Sequence, residues 1–298
     1  MAGPSFDNME GKIWYNGEMV DWTEAQVHVL THGLHYGSSV FEGARAYSGE
    51  IFKLREHNER LIRSGQILGF DIPYTVEELD DACNLCIETN GFENAYVRPV
   101  AWRGSEMMGV SAQTNRINVA IATWEWPAYF EPELLEKGIK LEMAKWKRPS
   151  PETIPCEAKA AGLYMICTLS KHAAEANGCQ DALMLDYRGQ LAECTGANIF
   201  LIQDGVIHTP TPDCFLDGIT RRTIIDLAAR RQMKVVERPM FPEDLGKSQE
   251  MFIVGTAAEV TPIGSVDEHQ FIPGEITRVL REDYINLVNG RELAVAAE

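Results

Sequence analysis

The sequence predicts an α+β protein of two domains, and three observations carry that expectation. Its 298 residues exceed the roughly 150 that one domain commonly holds. Short runs of alternating apolar and polar residues, the mark of strands, are mixed with stretches of helical period, without a regular strand–helix–strand order. A stretch with two prolines, aromatics and no sustained period, "WPAYFEPELLEKG" at 126–138, breaks the chain. The expected division is a small α/β domain at 1–125, an interdomain loop at 126–137 and a larger α/β domain at 138–298. The lack of βαβ regularity argues against a dinucleotide-binding sheet or a (β/α)₈ barrel.

The elements follow in order. "KIWYNGEMV" reads as two strands about a turn at Asn16-Gly17, the strongest short hairpin signal. "AQVHVLTH" and "SSVFEGARAYSGEIFKL" continue as strands, with a second turn at Ser48-Gly49. "REHNERLIRSGQILGF" is a helix that turns Leu54, Leu61, Ile62, Leu68 and Phe70 toward a core. "TVEELDDACNLCIETNG" is another, acidic early and stopped by Gly91. "NAYVRPVAW" and "RINVAIATWEW" are strands. Beyond the loop come a strand, a proline-studded segment and the helix "AGLYMICTLSKHAAEANG", ending at Gly178. Short strands follow in "DALMLDYRGQLAE" and "NIFLIQDGVIHTP", turning at Arg188-Gly189 and Asp204-Gly205. The helix "TRRTIIDLAARRQM", strands near 234–238 and 250–255, and a last helix near 274–289 complete the chain.

Composition narrows the function classes. The chain is 45% hydrophobic and 24% charged, an ordinary globular balance, and no apolar run approaches the ~18 residues of a membrane-spanning helix. The N-terminal stretch lacks a basic segment followed by an apolar core, so no export signal is expected. A net charge of −17 disfavours nucleic-acid and membrane partners. Seven cysteines, an odd number, fit reduced thiols in a cytoplasm. Cys83 and Cys86 form a lone C-x-x-C in a helical stretch. They read as two small buried side chains, since no second pair supplies zinc ligands and a redox pair is the less common use. No metal is expected at His28, His32 and His35, because "AQVHV" reads as strand and Gly33 interrupts the run. These histidines should satisfy local backbone groups. Dinucleotide, P-loop, zincin and nucleophile-elbow motifs are missing.

The segment "PETIPCEAKAAGLYM", 151–165, places Lys159 among Ala158, Ala160, Ala161 and Gly162. A lysine kept from water loses charge and becomes a nucleophile. A lysine with its stem on apolar neighbours and its head in solvent is the commoner arrangement. The small residues leave room for a bulky flat ligand, and the segment alone does not choose.

Seven stretches together do. "HGLHYGSSVFEGARAY", "AYVRPVAW", "MMGV", "ETIPCEAKAAGLY", "LAECTGANIF", "LDGITRRTI" and "GTAAEVTP" occur in this order across nearly the whole chain. In them the chain resembles the class IV aminotransferases of pyridoxal-phosphate fold type IV, the D-amino-acid aminotransferase-like fold, and most nearly their branched-chain amino acid group. The resemblance implies a cofactor site at the domain interface. Lys159 would carry pyridoxal 5'-phosphate as a Schiff base and move the substrate Cα proton. Glu193 would face the pyridine nitrogen, Tyr164 the phenolic oxygen, and Leu216 the ring. Arg60, Ile219, Thr220, Thr256 and Ala257 would hold the phosphate, with Ile219 and Thr220 at a helix start.

On the substrate side, alternation on a strand puts Phe41, Gly43 and Arg45 on one face, and Tyr96 with Arg98 on one face. The resemblance places both sets around the substrate. Tyr96 with the amides of Ala257 and Ala258 would hold the α-carboxylate. Phe41, Tyr164 and Tyr129 would line an apolar side-chain pocket, and Arg98 would meet a glutamate carboxylate. Tyr36 and Val110 would reach across from a second subunit, so a homodimer is the minimum assembly implied. Amino acids and 2-oxo acids are the implied substrates, in the biosynthesis of isoleucine, leucine and valine. Three departures stand out: Ala161-Gly162-Leu163 in place of Gly-Gly-Asn, Cys194 for a smaller residue, and Thr256 where serine is frequent. D-amino-acid transaminase, (R)-amine transaminase and aminodeoxychorismate lyase are the neighbouring alternatives. "FEGAR" with "YVR" favours the branched-chain type, and the R-x-H pattern of the D-amino-acid type is missing from 96–100.

Overall fold

The computed structural model describes residues 5–7, 9–126 and 132–291. The chain divides into two compact units, Met1–Pro127 with Ala158–Gly162, and Ala128–Glu157 with Leu163–Glu298. Lys159 therefore groups with the first unit, although it lies in the second half of the sequence.

The first unit comprises β1 (Lys12–Tyr15), β2 (Glu18–Asp21), α1 (His32–Tyr36), β3 (Ser39–Phe41), β4 (Ala44–Tyr47), β5 (Glu50–Ile51), α2 (Leu54–Ile67), α3 (Val76–Asn90), β6 (Ala95–Arg103) and β7 (Ile117–Glu125). The strands form one antiparallel sheet in the order β2-β1-β7-β6-β4-β5, with β3 also on β6. Asn16 and Gly17, at φ 51° and 102°, are the left-handed pair that a tight hairpin requires. A reciprocal cap starts α3: the Glu78 N–H donates to Thr75 Oγ1, and the Thr75 N–H donates to the Glu78 carboxylate at 2.8 Å. Gly91, at φ 69°, ends it.

Two features of this sheet shape the site. Pro99 has no N–H to give the ladder, and the strand opposite it breaks at Glu42-Gly43 between β3 and β4. Alternation continues across the break and puts Glu42 on the face of Val40 and Ala44, both fully buried. The second is a correction: "AQVHVLTH" is not a strand. Residues 25–30 are irregular, and α1 begins at His32 with Gly33 inside it. A Cβ at Gly33 would stand 3.2 Å from Trp102 Cβ, so the glycine that looks like a breaker lets the helix lie close against β6.

The second unit comprises α4 (Pro132–Lys137), β8 (Ile139–Met143), α5 (Met165–Ala176), β9 (Asp181–Leu185), β10 (Leu191–Cys194), β11 (Asn198–Gln203), β12 (Val206–Pro210), α6 (Ile219–Arg230), β13 (Val235–Arg238), β14 (Glu250–Gly255), β15 (Glu259–Val266), β16 (His269–Gln270) and α7 (Glu275–Val288). The sheet order is β10-β9-β8-β15-β14-β11-β12-β13, with β16 on β15. Because β11 also pairs with β10, through Glu193 opposite Asn198, the strands β10-β9-β8-β15-β14-β11 close into a ring. Leu141, Leu183, Leu191, Ile199, Ile253 and Ile263 belong to one buried apolar cluster carried on these strands. The sequence shows no strand–helix–strand regularity, yet two such crossovers exist: β8 and β9 are parallel around α5, and β12 and β13 around α6. Long, irregular lead-ins to both helices hide them from periodicity.

Candidate functional site

The lysine strip is bound into the first unit by its backbone. The Lys159 N–H donates to Ser64 Oγ at 3.0 Å, its carbonyl accepts from the Phe41 N–H at 3.0 Å, and Ala160 bridges Val40. Lys159 is half-buried, with Nζ 5.1 Å from the centre of the Phe41 ring. On α2, Arg60 grips the fully buried Glu42 with Nε at 2.6 Å and Nη2 at 2.9 Å. The His57 Nδ1–H completes the group, 2.7 Å from Glu42 Oε2. Burial pushes the Glu42 carboxyl up, but Arg60 and His57 outweigh it and hold it well below the usual carboxylate range. Burial pulls the His57 imidazole down, with Arg60 and Lys159 acting the same way against the pull of Glu42.

The predicted substrate residues of this unit gather on the sheet face away from Glu42. Arg45 stands opposite Tyr96 in the ladder, with its guanidinium 4.9 Å from the centre of the Tyr47 ring. A Cβ at Gly43 would lie 1.9 Å from Tyr96 Oη, so only glycine lets that hydroxyl rest against the strand. Arg98 is caged by rings: Phe41 at 4.9 Å, Tyr96 at 5.2 Å and Trp124 at 6.0 Å. Its Nη2 reaches Tyr96 Oη at 3.4 Å, and its buried Nε has no hydrogen-bond partner among the described residues. Arg98 lines an apolar hollow of about 500 Å³ with Tyr15, Val100, Trp102, Ala120 and Ala122. Tyr36 and Val110 lie on the surface, 47% and 84% exposed. Tyr36 stacks on His32, whose Nε2 meets the Gly109 carbonyl at 2.9 Å. Tyr129 and the loop residues 127–131 lie outside the described residues.

In the second unit Glu193 sits on β10 beside a shift of register between Leu191 and Glu193, at the closure of the ring. Such a bulge re-aims the side chain that follows it. Arg148 Nε lies 3.3 Å from Glu193 Oε1, and Asn198 Nδ2 lies 3.4 Å from Oε2. Burial works against the Arg148 charge, and Glu193 together with Cys167, Tyr164 and Cys156 outweighs it, holding the guanidinium above its usual range. The same Asn198 amide donates to the Leu216 carbonyl at 3.0 Å, which ties Glu193 to the turn that opens α6. Gly218 is the N-cap of α6, and a Cβ there would stand 2.2 Å from Asn198 Oδ1. Ile219 and Thr220, both buried, are the first residues of that helix, where N–H groups and the helix dipole favour an anion. Arg221 contributes no spare charge there, because Asp217, Glu237 and the Pro210 carbonyl hold it. Thr256, Ala257 and Ala258 form the half-buried turn between β14 and β15, and Tyr164 precedes α5.

Sequence reasoning missed Glu42, His57, Arg148 and Asn198. Each stands within a quoted stretch or close before one, but its role depends on a partner that only the folded pairing brings to it. Other expectations become concrete. His28, His32 and His35 bond to Leu30, Ser38 with Gly109, and Val29 respectively. Cys83 and Cys86 are buried on α3, the second thiol pushed up to about 11 by burial. Cys194 belongs to the buried cluster of the ring, and alternation turns it away from the Glu193 side of the strand. Asp186, Asp213 and Cys214 cluster closely, but Arg188 pairs with both carboxylates.

Residues 39–266 match the family Amino-transferase class IV. The branched-chain-amino-acid aminotransferase of Pseudomonas aeruginosa is 42% identical over 98% of this chain and 97% of its own. Among solved structures, the branched-chain amino acid aminotransferase of Escherichia coli superposes with a TM-score of 0.92 at 39% identity, over 95% of this chain and 97% of that one. The branched-chain amino acid aminotransferase of Thermobaculum terrenum, in its PLP form, gives 0.87 at 29%, over 95% of each chain.

Proposed function

The chain belongs to the class IV aminotransferases, and on that premise we propose the reaction and the residues that perform it. It is a branched-chain-amino-acid aminotransferase that moves the amino group between leucine, isoleucine or valine and 2-oxoglutarate, with pyridoxal 5'-phosphate as cofactor. The side chains present fit that group. A carboxylate, Glu193, suits a protonated ring nitrogen. Helix-start amides behind a glycine that a Cβ would crowd suit a phosphate. A half-buried amine, Lys159, suits a carbonyl carbon.

When bound, the cofactor supplies an electron-withdrawing ring that accepts the electron pair freed at the substrate Cα. Everything else falls to the chain. Lys159 Nζ would hold the cofactor, and its amine, once the substrate amine has displaced it, would take and return the proton of the substrate Cα. Glu193 would keep the ring nitrogen protonated, Tyr164 would hydrogen-bond the phenolic oxygen, and Leu216 would pack on the ring. Arg60, Ile219, Thr220, Thr256 and Ala257 hold the phosphate. Glu42 and His57 fix the direction from which Arg60 approaches. Tyr96 with the amides of Ala257 and Ala258 holds the α-carboxylate. Phe41, Gly43 and Arg45 border the substrate, with Tyr129 as a further lining residue.

The observation that carries the substrate assignment is the caged Arg98. One pocket must accept leucine and glutamate in turn. The hollow beside Arg98 is apolar, and its guanidinium leans on three rings, so an alkyl chain meets no unshielded charge. A γ-carboxylate would find the cation there. Tyr36 and Val110 are proposed to complete the site of a second copy in a homodimer, supported by the exposed apolar residues Val29, Leu34, Tyr36 and Val110 on this unit. No helix of the described residues is long and apolar enough to cross a membrane. A cytoplasmic setting is supported by seven unpaired cysteines.

Lys159→Ala tests the reading. The variant should fold, lose transamination of L-leucine and lose the cofactor mass that borohydride fixes on the Lys159 peptide of the native enzyme. Near-native turnover by the variant would overturn the assignment. A donor panel in which D-alanine outruns L-leucine would move the enzyme to another group of the family.

A further inference from the structure

The sheet register brings a second charge to Glu193. The Arg148 N–H donates to the Leu185 carbonyl at 2.7 Å, and the residue bridges Asp186 in parallel, just past the end of β9. Across β9, Met184 stands opposite Glu193. This pairing delivers the guanidinium to the carboxylate, with Nε 3.3 Å from Oε1 and the two side chains 5% and 11% exposed. The approach angle falls short of a hydrogen bond at Nε, while Nη1 turns to Cys167 Sγ at 3.3 Å. Arg148 therefore meets Glu193 as a neighbouring charge and spends a donor on a thiol of α5. Cys167, Tyr164 at the start of α5, Cys156 from the segment before the lysine, and Asn198 from β11 make up the surroundings of this pair.

A carboxylate this far from water tends to take up a proton unless a cation stands beside it. A protonated Glu193 could not serve a ring nitrogen that itself carries a proton. We propose that Arg148 is the positioning residue of Glu193: it keeps the carboxylate ionised and aimed, and through it keeps the cofactor's ring nitrogen protonated. The proposal rests on the reading of Glu193 given above.

A double-mutant cycle on cofactor binding tests it. Apoenzyme is titrated with pyridoxal 5'-phosphate, followed by absorbance, for the native chain, Arg148→Met, Glu193→Gln and the pair. Arg148→Met should weaken binding about tenfold or more in the native background and less than about twofold on Glu193→Gln. With ring-¹⁵N cofactor, the nitrogen resonance should move toward the unprotonated position in Arg148→Met and return in Arg148→Lys. Equal losses in the two backgrounds, or an unmoved resonance, would overturn the role of Arg148. A Glu193→Gln variant that binds and turns over as the native chain would instead overturn the reading of Glu193, and the proposal with it. Should Arg148→Met fail to yield folded protein, Arg148→Gln, which also removes the charge, supplies the same cycle.

Discussion

Two carboxylates, one in each unit, are withdrawn from water in different ways. Glu42 is gripped by both arms of Arg60 at 2.6 and 2.9 Å and by His57 at 2.7 Å. At Glu193 the recorded distances are 3.3 Å to Arg148 and 3.4 Å to Asn198. The first geometry is that of a charge-assisted anchor, and across the second pair the charges meet at longer range. Burial alone does not distinguish a charge that serves the fold from one that serves a ligand.

Glu42→Gln should break this contrast most. It leaves Arg60 buried against a neutral amide, and removing one partner of such a pair costs about 3–5 kcal/mol. Denaturant unfolding should record that loss, and cofactor affinity should fall as Arg60 loosens. Glu193→Gln should cost less stability, because its recorded contacts to Arg148 and Asn198 are longer, and should lower turnover about 10²- to 10³-fold. Comparable destabilisation by both substitutions would remove the distinction.

Arg98→Met comes next. A lost charge-assisted pair is worth about 1.5–3 kcal/mol, so the glutamate half-reaction should slow roughly ten- to a hundredfold while the leucine half-reaction holds. Single-turnover rates separate the two. Equal losses would assign the γ-carboxylate to another group, with Arg45 next on that face.

The smallest effect is on acid stability. His57 and Glu42 both hold protons less well in the fold than in the open chain. As pH falls, the unfolded state therefore binds more protons, and stability declines. For His57 the decline starts near the ordinary histidine value of about 6.5, and for Glu42 near about 4.3. Each differential proton steepens the loss by about 1.4 kcal/mol per pH unit. Melting temperatures between pH 7 and 5 should fall more steeply for the native chain than for His57→Asn.

Much of this could be read from the residues. The hairpin at Asn16-Gly17 and the helix stop at Gly91 follow from local chemistry, and the family resemblance supplied the roles of Lys159 and Glu193. What was not legible depends on register or on close approach. Gly33 looks like a breaker until Trp102 lies against it. Glu42 is a letter in "FEGAR", and only the packing of α2 brings Arg60 and His57 to it. Arg148 looks like a surface residue ahead of Pro149, and Asn198 like one more residue of an apolar strand. Their partners are set by the pairing of β9 with β10 and by the closure of β10 on β11, which no local pattern encodes.

The cysteines give the chain a built-in clock. All seven are free, six are buried and Cys179 is half-buried, and burial leads in raising each thiol above its usual value. An alkylating reagent therefore meets little thiolate while the fold is closed, and its rate of reaction counts openings. Cys83 and Cys86 time the first unit, and Cys194 and Cys214 time the second. Peptide-resolved labelling would then tell whether cofactor slows the breathing of one unit, of both together, or of neither.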